Sequence, residues 1–123
     1  MPLLGLIAAG EPIEALETPN SITVPSSLVH PDNFVLQVRG QSMIDEQIQD
    51  GDYIVVKKTT SARSGQIVVA LINDEAKLKC YVPKTDHIEL HPRNPKFPVI
   101  TIKKTDKFYI NGVLLYSFRE YPS

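Results

Sequence analysis

The chain has 123 residues, so it has the length of one domain and can bury a substantial core. Hydrophobic residues make up 42% and charged residues 22%, which is ordinary for a globular protein and argues against a disordered chain. The formal net charge is −1 and there is no block of Lys or Arg, so we expect no strong nucleic-acid binding by these residues alone.

The composition also indicates which cellular compartment and which cofactors to expect. The single cysteine, Cys80, excludes an internal disulfide and fits a reducing cytoplasm. No apolar run approaches the ~20 residues that a membrane-spanning helix needs, and residues 1–9 lack the positive start of a signal peptide. His87 and His91 are four residues apart on a predicted strand, which is poor spacing for a metal site. We therefore expect a cytoplasmic protein with no membrane contact, metal or other cofactor.

The first segment of the chain, residues 1–10, is apolar and ends in small residues. It would form either a strand packed on the core or an extended peptide that a protease cleft binds by strand addition. In the second case Ala8, Ala9 and Gly10 are small enough to lie at the reacting bond. An acidic loop with two prolines follows, over residues 11–20.

Most of the remaining chain is apolar in alternation, or continuously, over lengths typical of strands. Predicted strands cover residues 22–24, 33–38, 53–57, 65–72, 76–82, 87–90, 99–102, 107–110 and 113–118. The continuously apolar residues 65–72 predict a strand buried on both faces, and Asn73-Asp74 a tight turn. Asn111-Gly112 is the strongest short hairpin signal in the chain. One helical turn is predicted at residues 25–28 and no longer helix, so we expect a mostly β single domain of twisted antiparallel sheets.

Residues 38–52 carry a candidate nucleophile, Ser42. Gly40 lets the chain turn at the end of a predicted strand, which would expose Ser42 while its backbone is held rigidly, as a nucleophile requires. The turn signal Asp50-Gly51-Asp52 then leads into the next strand. Taken alone, this pattern fits an ordinary loop serine better than a catalytic one.

A serine nucleophile needs a base, and the sequence offers two kinds. His30, His87 and His91 lie in no recognisable motif. A lysine has a pKa of about 10.4 in water, but burial in an apolar cleft lowers that value by several units. Lys77 and Lys79 share one face of the predicted strand 76–82, so the pattern leaves them equal candidates for the base, or two solvated lysines.

Several stretches in combination resemble the self-cleaving peptidase domain of LexA-type repressors. They are Gly40-Gln41-Ser42-Met43 followed by Asp50-Gly51-Asp52, then residues 65–70, then residues 75–79. Residues 8–12, Ala-Ala-Gly-Glu-Pro, also resemble the cleavage segment of that family. The similarity extends over residues 7–118, and the combination is far more specific than Ser-Met alone.

The resemblance implies a Ser-Lys dyad with Ser42 as the nucleophile and Lys79, not Lys77, as the general base. It places the scissile bond between Ala9 and Gly10. Residues 1–20 would then be the cleavage-site segment and linker, and residues 21–123 the peptidase and dimerisation domain. The family implies a homodimer, formed partly through C-terminal strands, and self-cleavage stimulated by RecA filaments on single-stranded DNA during the SOS response.

One departure from the family concerns DNA. LexA-type repressors carry an N-terminal winged helix-turn-helix, which these residues lack, so we expect operator DNA to be a partner only through that missing domain. The chain would be an excised C-terminal domain or a naturally short form.

Three alternatives remain. A UmuD-like accessory subunit of a mutagenic DNA polymerase usually carries Cys-Gly after a longer arm, whereas this chain has Ala9-Gly10 after eight residues. A non-catalytic dimerisation module would not need Ser42, Lys79 and Ala9-Gly10 together. A signal peptidase shares the Ser-Met chemistry but needs a membrane anchor.

Overall fold

A computed structural model of the protein describes residues 3–8, 26–119 and 121. The eight strands are β1 Leu3–Ala8, β2 Asn33–Arg39, β3 Tyr53–Lys58, β4 Ile67–Ile72, β5 Glu75–Pro83, β6 Ile88–His91, β7 Ile100–Ile102 and β8 Phe108–Phe118. Short 3₁₀ turns lie at Ser26–Leu28, as predicted for residues 25–28, and at Ile44–Glu46. The predicted strand 22–24 and the predicted domain boundary at residue 20 lie outside the described residues. No helix in the described part of the chain is long and apolar enough to cross a membrane.

All eight strands belong to one sheet with the order β1-β2-β3-β8-β4-β5-β6-β7. Strands β2 to β8 pair antiparallel, and β1 joins the edge of the sheet parallel to β2. The sheet curls until β1 approaches β5, although four strands lie between them in the order. The predicted mostly β, antiparallel class is confirmed, with the parallel pairing of β1 as the exception.

The core lies on both faces of this curled sheet, in two clusters that β4 connects. Val69 belongs to the cluster that contains Met43, Ile54 and Leu78. Its neighbours on β4, Val68 and Ala70, belong to the second cluster, with Ile72, Leu90 and Ile110. Consecutive side chains of a strand point to opposite faces, so a strand buried on both sides must be apolar throughout. The predicted strand buried on both faces within residues 65–72 is therefore confirmed as β4.

The turn between β4 and β5 also forms as predicted. Asn73 and Asp74 have φ values of 50° and 70°, the left-handed conformation that a two-residue hairpin turn needs at both central positions. Asn73 is fixed further by its side chain, which donates to Asp106 Oδ1 over 2.9 Å and accepts from the Lys107 N–H over 2.9 Å. The hairpin that carries both candidate lysines is thus closed by its own turn residues.

The predicted hairpin at Asn111-Gly112 is wrong. Both residues lie inside β8, which runs unbroken between its partners β3 and β4. The pairing register shifts once against each partner, which leaves Asn111 unmatched on the β4 side and Leu115 unmatched on the β3 side. The Asn-Gly pair therefore lies within a bulged, strongly twisted strand and does not form a turn.

Gly112 is needed there because two strands approach closely. A Cβ atom built on Gly112 would lie 2.7 Å from the Lys57 carbonyl oxygen and would overlap Val56 Cγ1. The position is buried, so no space is available into which the added atom could move.

We expect Gly112→Ala to destabilise the domain by roughly 1–3 kcal/mol, because it overpacks the contact between β8 and β3. The matched control is Asn111→Ala, an exposed neighbour on the same strand, which should change stability by less than about 0.5 kcal/mol. Urea denaturation of both variants measures the difference. Equal stability of the two variants would contradict the close approach described here.

Candidate active site at the Ser42 turn

The turn that carries Ser42 is held by contacts at both of its ends. Gly40 has φ +89°, a conformation that a side chain disfavours, and its N–H donates to Asp50 Oδ1 over 2.7 Å. The Gly51 N–H donates to the Val38 carbonyl over 2.7 Å and closes the loop at its base. The rigid turn expected after the strand is therefore present.

Ser42 itself is buried, with 0% of its surface exposed, so the expectation of an exposed serine is wrong. The neighbouring Met43 is equally buried and belongs to the core cluster, which draws the turn inward. Ser42 Oγ has no hydrogen-bond partner among the described residues. A buried hydroxyl without a partner costs free energy, and such groups are found at functional sites more often than in ordinary loops.

Both candidate lysines are buried, which excludes the alternative of two solvated lysines. Lys79 is 1% exposed and Lys77 is 9% exposed. Burial of Lys79, with a smaller contribution from the positive charge of Lys77, lowers the pKa of the Lys79 ammonium to about 8. A substantial fraction of Lys79 is therefore neutral in mildly alkaline solution, as a general base must be.

The two lysines differ in what surrounds their ammonium groups. Lys77 Nζ lies 3.9 Å from Glu75 Oε2, within ion-pair distance of that carboxylate. Lys79 Nζ lies 5.7 Å from the centre of the Phe97 ring, and burial is the main cause of its lowered pKa. This difference favours Lys79 as the base, a choice that the sequence pattern alone left open.

The chain after β6 brings the Ser42 turn and the Lys79 strand together. The Arg93 N–H donates to the Ser42 carbonyl over 2.6 Å, and the Asp45 N–H donates to the Arg93 carbonyl over 2.7 Å. Asn94 Nδ2 donates to the Gln41 carbonyl over 2.8 Å. The sequence did not predict that the residues after β6 belong to the site. Pro92, Pro95 and Pro98 indicate only that this segment is irregular, and not which elements it contacts.

The side chains of Ser42 and Lys79 are not hydrogen-bonded to each other in this structure. Ser42 Oγ makes no hydrogen bond to Lys79 Nζ, since it has no partner among the described residues. Nucleophile and base are often further apart in an unoccupied site than during the reaction. Burial of both side chains and the bridging segment after β6 are the features that support a dyad.

The N-terminal strand ends beside this turn. Ala8, the last residue of β1, pairs with Arg39, three residues before Ser42. Because β1 and β2 run parallel, both strands end at the same end of the sheet, and β1 also approaches β5. This arrangement fits the predicted strand addition. The predicted cleavage residues, Ala9 and Gly10, lie outside the described residues.

The histidines are occupied by other contacts. His87 Nε2 and His91 Nε2 lie 2.7 Å and 2.8 Å from the two carboxylate oxygens of Glu89. Hydrogen bonds to Glu89 and then Asp86 raise the pKa of His87. Nowhere in residues 26–119 does a group of three His, Cys, Asp or Glu side chains form a cage for a metal ion.

Comparison with known proteins identifies the family of this chain. Residues 2–115 match the family model described as Peptidase S24-like. The chain belongs to the S24-like peptidase family. It is 48% identical to a LexA repressor of Syntrophotalea carbinolica over 100% of this chain and 61% of that protein. A LexA repressor of Syntrophobacter fumaroxidans is 41% identical over 98% of this chain and 59% of its own length. The chain thus spans about three fifths of these S24-like relatives.

A partly buried ion pair anchors the far end of the Ser42 loop in this S24-like domain. Arg119 donates through Nε to Asp52 Oδ1 over 2.6 Å and through Nη2 to Asp52 Oδ2 over 2.9 Å. The Gln49 N–H donates to the same carboxylate over 2.8 Å. Burial alone would raise the pKa of Asp52, but these hydrogen bonds and the Arg119 charge hold it below 3.8.

We expect this ion pair to make stability depend on pH in acid. A depressed native pKa means that the carboxylate stabilises the fold at every pH above about 4, and this contribution disappears as the pH falls below 3.8 through the native pKa. Thermal unfolding between pH 6 and pH 2 measures it. In Arg119→Ala the acid decline should be smaller and the protein already less stable at pH 6, because burial without the partner raises the Asp52 pKa toward or above its unfolded value. The exposed control Arg63→Ala should follow the parent curve, and identical curves for all three proteins would contradict the assignment.

Proposed function

We propose that this chain is the self-cleaving and dimerising part of an SOS-response transcriptional repressor, with Ser42 as the nucleophile and Lys79 as the general base. The observation that carries the proposal is a buried lysine with its pKa lowered to about 8, in the same site as a buried serine hydroxyl without a partner. The relatives reported above bear the repressor name, which favours this function over a polymerase accessory subunit.

The proposed reaction begins with proton transfer. Neutral Lys79 takes the Ser42 proton as Oγ bonds to the carbonyl carbon of Ala9. The N–H groups of Ser42 and Met43 would hold the resulting oxyanion; neither donates to a backbone carbonyl among the described residues. The C–N bond to Gly10 then breaks while protonated Lys79 gives its proton to the leaving amine. Water hydrolyses the Ser42 ester, with Lys79 again accepting a proton, and restores the free serine.

The proposed regulation acts on the substrate segment. Residues 6–11 would enter the cleft as a continuation of the strand pairing seen for β1, since that strand already lies between β2 and β5. RecA filaments on single-stranded DNA would favour the occupied cleft, which is a shift between two populations of the same chain. In the proposed parent repressor, which acts in the cytoplasm, operator DNA is bound by residues outside this chain.

The proposed homodimer uses the C-terminal half of β8. Residues 108–113 pair with β4, whereas residues 114–118 pair only with β3 within the described part of the chain. One edge of this half-strand is therefore open, and Leu115 and Tyr116 beside it are 44% and 48% exposed. An open edge with exposed apolar side chains favours pairing with a second copy.

The dyad predicts how self-cleavage depends on pH. Below the Lys79 pKa the neutral fraction, and therefore the rate, should rise about tenfold per pH unit, and it should level off above about pH 8. Single-turnover rates between pH 6 and pH 11 measure the profile, and intact mass should give a nine-residue product ending at Ala9. Cleavage at another bond would contradict the assignment.

Four variants complete this experiment. Ser42→Ala and Lys79→Met should be inactive at every pH. Lys77→Ala should stay active with its midpoint at higher pH, because the charge that helps to lower the Lys79 pKa is gone. The exposed control Lys104→Ala should match the parent. An active Lys79→Met protein would show that another residue is the base.

The dimer proposal predicts an effect confined to one half of β8. Tyr116→Glu should weaken self-association about tenfold or more, because it places a charge at the centre of the proposed interface. Tyr109→Glu is the control, an exposed tyrosine on the half of β8 that pairs with β4. Sedimentation velocity over a range of concentrations measures both. A parent protein that stays monomeric at high micromolar concentration excludes the proposed dimer.

A further inference from the structure

One short segment touches both halves of the candidate site. We call residues 91–97 the bracing segment. It begins at His91, which pairs with Cys80, the residue after Lys79 on β5. It ends at Phe97, whose ring faces Lys79 Nζ. Between these ends its backbone and Asn94 hold the Ser42 turn by the three hydrogen bonds described above.

The side chain of Arg93 crosses between the two elements that this segment joins. Its Nη2 donates to Cys80 Sγ over 3.0 Å, next to Lys79 in the chain. Its Nε lies 3.1 Å from Glu46 Oε1, in the 3₁₀ turn that follows Ser42. The second contact is an ion pair whose N–H is not aligned on the oxygen, since Nε is left without a hydrogen-bond partner among the described residues.

We propose that Arg93 is a positioning residue that sets the distance and orientation of Ser42 relative to Lys79; the inference rests on the dyad proposed above. Arg93 holds the Ser42 backbone through its own N–H and ties Glu46 to Cys80 through its guanidinium. A guanidinium presents five donors in a fixed planar fork and can serve acceptors on two elements at once, whereas a lysine ammonium acts as a compact point charge.

Position matters here because the Ser42 hydroxyl must reach hydrogen-bond distance of Lys79 for proton transfer. Ser42 Oγ is buried and makes no hydrogen bond to the base in this structure, so the reaction requires the two elements to approach in the correct orientation. A displacement of ~1 Å can reduce the rate of such a step about 10²-fold. A tie between Glu46 and Cys80 restricts displacements of the turn relative to β5.

If Arg93 acts by positioning, its removal should lower the plateau rate of self-cleavage without moving the midpoint of the pH profile. Arg93→Ala keeps the backbone N–H and carbonyl but removes the tie, so the plateau rate of self-cleavage should fall roughly ten- to a hundredfold. The midpoint of the pH profile should stay in place, because burial and Lys77, the causes of the lowered Lys79 pKa, are retained. A residue that acted through its charge on Lys79 would instead move the midpoint upward when removed.

The experiment is a set of single-turnover pH profiles. Arg63→Ala is the matched control, an exposed arginine outside the site, and should cleave like the parent. Arg93→Lys should restore only part of the loss. Glu46→Ala and Cys80→Ala should each lower the plateau rate, and neither should lower it further when combined with Arg93→Ala.

Three rate outcomes overturn the inference while leaving the dyad intact. The first is parent-like cleavage by Arg93→Ala at every pH. The second is a rate loss matched by the unfolded fraction measured in the same buffer, which would make Arg93 merely structural. The third is a displaced midpoint with an unchanged plateau.

Amide hydrogen exchange tests the tie without any cleavage, so it also decides the case in which the parent protein proves inactive and the dyad fails. Exchange at the Asp45 and Arg93 amides should accelerate in Arg93→Ala, while exchange in β4 stays as in the parent. Unchanged exchange at both amides would overturn the inference independently of the proposed function.

Discussion

Desolvation of the Lys79 ammonium is the constraint on which the site depends. A lysine in water is almost fully charged at neutral pH, and removing water from the charged form is what lowers its pKa. Burial within the curled sheet acts in this direction most strongly, and the positive charge of the adjacent Lys77 adds to it. Anything that admits water to β5 therefore acts on the chemistry directly, even when it leaves both side chains in place.

This arrangement costs stability, which the rest of the fold must offset. Two buried lysines and a buried hydroxyl without a partner are each unfavourable in a folded protein. The apolar clusters on the two faces of β4 and the bidentate Asp52–Arg119 pair lie around the site and compensate for it. The residues at the proposed site are thus unfavourable for stability, whereas the surrounding apolar clusters and ion pair are favourable.

The sequence predicted those features that depend on neighbouring residues. Alternating and continuous apolar residues predicted the strands, and Gly40 predicted the turn before Ser42. The failures concern distant contacts. Asn111-Gly112 has strong hairpin propensity, but pairing of β8 with β3 and β4 overrides it. The burial of Lys77 depends on the curl of the whole sheet. Arg93 has no pattern of its own, because its importance comes from Glu46 and Cys80, which are distant in the chain.

The central place of β8 has a consequence for the order in which the sheet assembles. Among the described strands, the hydrogen-bonded ladder joins β1–β3 to β4–β7 only through β8. Ser42 belongs to the first group and Lys79 to the second. A nascent chain on the ribosome lacks the strand that joins the two groups until residues 108–118 have emerged. The sheet that holds both candidate residues therefore cannot close before β8 has paired with β3 and β4.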